Sequence, residues 1–97
     1  MLTGKQKRFL RAMGNEMEPI LMVGKGGISD NLLIQAQDTL EARELIKGRV
    51  LPNSLEAPKE IAEALAAKVE GELVQVVGRN FLIYRASERK PVIVLPE

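Results

Sequence analysis

Lys25 stands among three glycines, Gly24-Lys25-Gly26-Gly27, with the apolar stretch Ile20-Leu21-Met22-Val23 before it and Ile28-Ser29-Asp30 after it. An apolar strand that turns through glycines into a helix leaves backbone N–H groups unpaired at the helix N-terminus, here beside a cation. Without a Cβ, the glycines let a ligand come close to the backbone. The chemistry such a stretch supports is anion binding, and phosphate, in a nucleotide or a nucleic acid, is the frequent biological anion at such loops. Asp30 works against it, because a carboxylate in the first helical turn already answers the helix dipole and repels a second anion.

Known phosphate motifs divide on this stretch. A dinucleotide fingerprint needs glycine or alanine where Ser29 stands, and a P-loop needs Gly-Lys-Ser/Thr after four spacer residues, so neither is present. The pattern that fits is Gly-X-X-Gly, the loop with which RNA-binding domains of the KH type clamp backbone phosphates. The same tetrapeptide also serves as a plain glycine turn between strand and helix. On the phosphate reading, the N–H groups of Gly26 and Gly27 face phosphate oxygens and Lys25 adds a charge-assisted contact.

Composition removes much of the alternative chemistry. Among 97 residues there is no Cys and no His, so thiol nucleophiles, imidazole bases, zinc clusters and disulfide staples are unavailable. No motif places a carboxylate pair, and the expectation is a non-enzyme with no cofactor and no metal. With 45% hydrophobic and 28% charged residues, the chain has the balance of one soluble globular domain over residues 1–97. No apolar run approaches the roughly 20 residues of a bilayer span, and Met1-Leu2-Thr3-Gly4-Lys5 lacks the core of a signal peptide. The expected location is the cytoplasm, with no membrane and no small-molecule substrate as partner.

The net charge of +1 says little by itself, but its distribution is uneven. Lys5, Lys7, Arg8, Arg11 and Lys25 crowd the N-terminal quarter, whereas Glu56, Glu60, Glu63, Glu70 and Glu72 dominate the segment after the middle. The elements that must position these charges follow in order. Thr3 to about Gly14 reads as a first helix with Thr3 as N-cap and Gly14 as stop. At roughly 100° per residue, Leu2, Gln6, Phe9, Leu10 and Met13 share one side of it, and Lys5, Lys7, Arg8 and Arg11 the other. The basic side is either part of an RNA footprint, if the helix lies beside the glycine loop, or an ordinary solvated face.

Pro19 starts an extended segment and Ile20 to Val23 reads as a short buried strand. Ser29 caps a second helix running to about Arg43, lined by Leu32, Leu33, Ala36 and Leu40, with Ile34 on its polar side. Leu45 to Leu51 alternates as a second strand, with Ile46 and Val50 on one face and Lys47 and Arg49 on the other. A third helix starts at Ala57-Pro58 and stops at Gly71. Glu72–Val77 and Phe81–Arg85 form a hairpin around Gly78-Arg79-Asn80. The predicted fold is α/β, a single compact domain of order α-β-α-β-α-β-β, with a four-stranded mixed sheet and right-handed crossovers. Residues 91–97 are too apolar for a free tail and are expected along a sheet edge or a helix.

Arg79 and Arg85 are secondary cationic candidates, with turn charge and edge solubilisation as their plain alternatives. Aromatic residues make up 3% of the chain, too few for the stacking platforms of RRM or OB domains, which favours recognition of folded RNA by backbone shape. Phe81 and Tyr84 read as core. A competing function is a protein-interaction module on the ribosome, presenting Glu56, Glu60 and Glu63 of the acidic third helix to basic proteins.

Four segments together carry a family resemblance over nearly the whole chain: Leu2-Thr3-Gly4-Lys5-Gln6, Val23-Gly24-Lys25-Gly26-Gly27-Ile28-Ser29, Leu40-Glu41-Ala42-Arg43-Glu44-Leu45-Ile46-Lys47, and Val77-Gly78-Arg79 with Leu82-Ile83-Tyr84-Arg85. They resemble the YhbY group of CRM domains, named for chloroplast RNA splicing and ribosome maturation, in its bacterial stand-alone branch. The resemblance implies an RNA-binding protein whose partners are precursor large-subunit ribosomal RNA and pre-ribosomal particles. It also implies a fold similar to the C-terminal domain of a bacterial translation initiation factor. Gly48 departs from the family pattern, where a valine or another side chain is commoner, and predicts a weakened or bulged second strand.

Overall fold

A computed structural model describes residues 1–97, in the order α1 (Gly4–Asn15), β1 (Leu21–Val23), α2 (Asp30–Arg43), β2 (Leu45–Val50), α3 (Pro58–Lys68), β3 (Glu72–Val77) and β4 (Asn80–Tyr84). The strands form one sheet in the order β1-β2-β4-β3. β1 runs parallel to β2, while β4 is antiparallel to both β2 and β3, so the sheet is mixed as expected.

Alternation along the strands divides the interior into two layers. Ile46 and Val50 of β2 and Phe81 and Ile83 of β4 pack on one face with Leu32, Ala36 and Leu40 of α2, Ile61 and Leu65 of α3, and Val69 at the C-cap of α3. On the other face, Leu45, Val74, Leu82 and Tyr84 pack with Leu2 and Leu10, joined by Ile93 and Leu95 of the C-terminal segment. Helices α2 and α3 therefore cover one face of the sheet, and α1 with the C-terminal segment covers part of the other. Leu10 is fully buried and is the main anchor of α1, and burying one such side chain contributes about 1.5–3 kcal/mol.

Local signals account for most helix boundaries. Thr3 Oγ1 accepts from Gln6 N at 3.1 Å and Gln6 Oε1 accepts from Thr3 N at 3.0 Å, a reciprocal capping box. Pro58 stands at the start of α3. Helix α2 ends at Arg43 as expected, whereas α3 ends at Lys68, short of the expected stop at Gly71. Glu44 (φ 67) and Glu70 (φ 56), not glycines, take the left-handed conformation after α2 and α3. Glu44 tolerates that conformation because its neighbours hold it: its N–H donates to Leu40 O at 2.8 Å and its carbonyl accepts from Arg85 N at 3.0 Å.

Three glycine and periodicity readings are corrected by the packing. Gly14 does not stop α1, which continues to Asn15; it lies against Leu82, where a Cβ would overlap the leucine side chain. This close approach rotates the helix so that Phe9 (39% exposed) and Met13 (36%) face solvent while Lys7 and Arg11 are half-buried. Gly48 does not bulge β2, whose register runs unbroken against both neighbours; the ring of Phe81 occupies the space of a Cβ there. The sheet's irregularity lies instead in β3, between Leu73 and Gln75. Asn80 belongs to β4, which leaves Gly78-Arg79 as a two-residue turn with Gly78 at φ 58.

The C-terminal segment is bound to the domain and not free. The buried Glu44 carboxylate accepts from the N–H groups of Ser87, Val92 and Ile93, each at 2.7 Å. Glu41 Oε1 accepts from Ser87 Oγ at 2.8 Å and Arg89 N at 3.2 Å, and Pro96 O accepts from Gln6 Nε2 at 3.0 Å. No helix is long and apolar enough to cross a membrane.

Candidate nucleic-acid interface

The register gathers three connections at one end of the sheet. Val23 pairs with Val50, Arg49 with Asn80, and Asn80 with Val77. The Gly24–Gly27 loop, the chain after Val50 and the Gly78-Arg79 turn therefore share that end. Gly27 N donates to Gly24 O at 3.0 Å, closing a β-turn with Lys25 and Gly26 at its exposed corners. Gly27 takes φ 65, which a side chain would resist, whereas a Cβ at Gly26 meets nothing within 4 Å. Ser29 Oγ then accepts from Leu32 N at 3.1 Å as the N-cap of α2.

One expected role changes as a result. The Gly27 N–H is engaged inside the turn, so it does not face a ligand; the N–H groups of Lys25 and Gly26 make no hydrogen bond within the chain. The Lys25 ammonium has no ion-pair partner and stands in solvent. Arg79 lies at the same end: Val50 N donates to its carbonyl at 2.8 Å, and its Nη1 donates to Leu51 O at 3.4 Å. That single long contact leaves the remaining guanidinium donors open.

The loop has one acidic side. Glu56 Oε1 is 3.8 Å from where a Gly27 Cβ would lie, and Asp30 is in the first turn of α2. Both carboxylates belong to the α2–α3 side. An anion leaving the loop meets repulsion there.

The basic first helix and the loop are not side by side. Leu2 N donates to Glu72 Oε1 at 3.0 Å, which ties the start of α1 to the start of β3, at the sheet end away from the loop. Lys5 and Arg8 are exposed on this helix, with Lys5 near that far end, and Arg11 stands about 9 Å further along the axis than Lys5. Arg11 Nε lies 3.4 Å from Lys7 O, within its own helix.

Arg85 is a structural residue at the far end as well. Its Nη1 donates to Val69 O at 3.0 Å and its Nη2 to Gln37 O at 3.4 Å, and Nη2 is 3.6 Å from Glu41 Oε2. It thereby joins the C-terminal half of α2 to the end of α3, where the Val69 carbonyl is one that a helix terminus leaves unpaired. Lys47 is similarly occupied, with Nζ 3.1 Å from Gly14 O.

The shifted ionisations lie at the same end. Hydrogen bonds from Ser87 and Arg89, with the nearby Arg85, hold the Glu41 carboxyl below its ordinary value. Burial pushes Glu44 up, but the N–H groups of Ile93, Ser87 and Val92 together outweigh it and the net direction is down. Burial, then the charges of Glu44 and Glu72, raise the Tyr84 phenol. All three groups stabilise the fold, and none adjoins the glycine loop. Sequence reading passed over Glu44; its signal was the missing glycine between a helix ending at Arg43 and a strand starting at Leu45.

Comparison with known proteins agrees with this architecture. The chain is 48% identical over 96 residues to "Probable RNA-binding protein YqeI" of Bacillus subtilis, covering 99% of this chain and 100% of that protein. It is 30% identical over 91 residues to a Haemophilus influenzae protein named "RNA-binding protein", covering 94% and 92% of the two chains. The solution structure of a hypothetical Staphylococcus aureus protein, described as a candidate RNA-binding protein, matches with a TM-score of 0.81 and 51% identity over 99% of this chain and 100% of that one. The model of the CRS1/YhbY (CRM) domain matches residues 2–85, and this chain belongs to that family.

Proposed function

We propose that this protein binds RNA without catalysing a reaction on it, seating backbone phosphates on the Gly24–Gly27 turn. The observation that carries the reading is the turn itself: an unpaired Lys25 ammonium and two unpaired N–H groups at an exposed corner, with the Arg79 guanidinium at the same end of the sheet. Gly27 serves by its positive φ, which shapes the turn, and Gly26 by leaving the corner open. The names of the relatives support RNA as the ligand. The family resemblance alone supports precursor large-subunit ribosomal RNA, in pre-ribosomal particles of the cytoplasm, as the target.

The footprint extends from the loop over the sheet face opposite α2 and α3, because the other side carries Asp30 and Glu56. Arg11 is the first cation of α1 within its reach; Arg8 and Lys5 join only a longer RNA. The test is a salt titration of RNA affinity for wild type, Lys25→Ala, Arg79→Ala, Arg11→Ala and Lys5→Ala, on a short segment of precursor large-subunit RNA and on an unrelated RNA of equal length. Removing a cation that neutralises one phosphate should reduce the slope of log K against log salt by roughly 0.7–0.9. Lys25→Ala and Arg79→Ala should both do so, and Lys5→Ala should not on a short RNA. Unchanged slopes for Lys25→Ala and Arg79→Ala would overturn the loop as the binding element.

A further inference from the structure

On the α1 side, the sheet is not fully covered. Gly14, near the end of α1, rests on Leu82, which pairs with Lys47 and Gln75 across the sheet. Two residues nearer the loop, the next row on this face crosses all four strands: Met22 pairs with Arg49, Arg49 with Asn80, and Asn80 with Val77. No element packs over this row. Met22 is 48% exposed and Val77 60%, and Arg49 is exposed with neither a hydrogen bond nor an ion pair to the rest of the chain.

The row has the chemistry of a base-binding surface. Met22 and Val77 offer apolar area for the faces of unstacked bases, and between them the planar Arg49 guanidinium can stack on a base while remaining charged. Asn80 Oδ1 is buried without a hydrogen-bond partner, and a swing about χ2 would bring it out as an acceptor for a ribose hydroxyl or an exocyclic amine. Neither this row nor the one beneath it carries a carboxylate, in contrast to the Asp30 and Glu56 side of the loop. The row is also continuous with the loop, because Met22 and Val23 lead directly into Gly24.

We infer that Met22, Arg49, Asn80 and Val77 form a second subsite that holds the bases of a single-stranded RNA segment whose phosphates rest on the glycine loop. This rests on the proposed function and adds what the loop lacks, a preference for unpaired bases over bare backbone. The chain needs no aromatic platform for it, since methionine, valine and arginine supply the stacking area.

The test compares the full-length protein's affinity for a single-stranded mixed-sequence RNA oligonucleotide and for an abasic oligonucleotide of the same length and backbone. Met22→Ser and Val77→Ser remove apolar area without changing charge, and Arg49→Lys keeps the charge while removing the planar stack. Each should weaken binding of the base-bearing RNA by about fivefold or more and leave the abasic affinity within about twofold. Lys25→Ala should weaken both probes alike. Thermal melting of each variant separates binding from folding, and Met22→Leu, which keeps apolar area, should retain affinity. If the row variants leave RNA binding intact while Lys25→Ala weakens it, the open row belongs to a partner protein; the inference falls and the phosphate loop stands. If the row variants weaken both probes equally, the row touches only backbone and the inference also falls. If wild type binds neither probe, both readings fall together.

Discussion

Lys47 Nζ lies 3.1 Å from Gly14 O, so an ammonium on β2 caps the last turn of α1 from outside the helix. α1 has no basic residue of its own in that turn, and Lys47 supplies the positive charge that a helix C-terminus favours. The hydrogen bond fixes α1 over Leu82 and stops it one row short of Met22 and Arg49. Lys47→Met should therefore destabilise the domain by about 1 kcal/mol in urea denaturation. The salt dependence of RNA binding should stay unchanged, which distinguishes Lys47 from Lys25 although both are cations near the same sheet.

The Glu44 carboxylate predicts a pH dependence. Its pKa in the fold is below the ordinary 4.5, so the unfolded chain takes up the proton first as the pH falls. The stabilisation is complete above about 4.5 and is lost as pH falls through the lower folded value. Glu44→Gln keeps the shape but not the charge-assisted bonds to Ser87, Val92 and Ile93, and should cost about 1–3 kcal/mol at pH 7. The difference in Tm between wild type and this variant should shrink steadily below pH 4.5. A constant difference down to pH 3 would mean that the carboxylate's charge does not hold the segment.

Gly48 and Phe81 form a packing pair. Because the Phe81 ring fills the place of a Cβ on residue 48, Gly48→Val should cost about 1–3 kcal/mol by overpacking. Gly48→Val combined with Phe81→Leu should be less unstable than the sum of the two single destabilisations, and a double-mutant cycle measures that coupling. Simple additivity would show that the ring can move aside freely.

Within the loop, the two inner glycines should respond differently. Gly26→Ala meets open space at a permitted φ, so stability should change by no more than about 0.5 kcal/mol while RNA affinity falls if phosphate approaches that corner. Gly27→Val places a β-branched residue at φ 65 and should cost about 1–2 kcal/mol before any ligand is added. Paired denaturation and binding curves check both. A Gly27→Val protein of native stability would show that the turn relaxes without strain.

The elements, their order and the place of the glycine turn are legible along the chain. These rest on local physics: the Thr3–Gln6 capping box, Pro58 at a helix start, alternation in Leu45–Val50 and the apolar spacing of Leu32, Ala36 and Leu40 are each readable within a few residues. Which groups are free is settled by packing between distant segments. Lys25, Arg49, Lys47 and Arg85 look alike along the chain, yet Lys47 caps α1 and Arg85 joins α2 to α3 across 16 and 48 residues of sequence. Only the register aligned Met22, Arg49, Asn80 and Val77, because one row draws on four strands and a slip of one residue would turn each side chain to the other face. The helix rotation that exposes Phe9 and half-buries Arg11 has the same origin. It follows from Gly14 meeting Leu82, a pair far apart in sequence whose packing energy outweighs the local hydrophobic period.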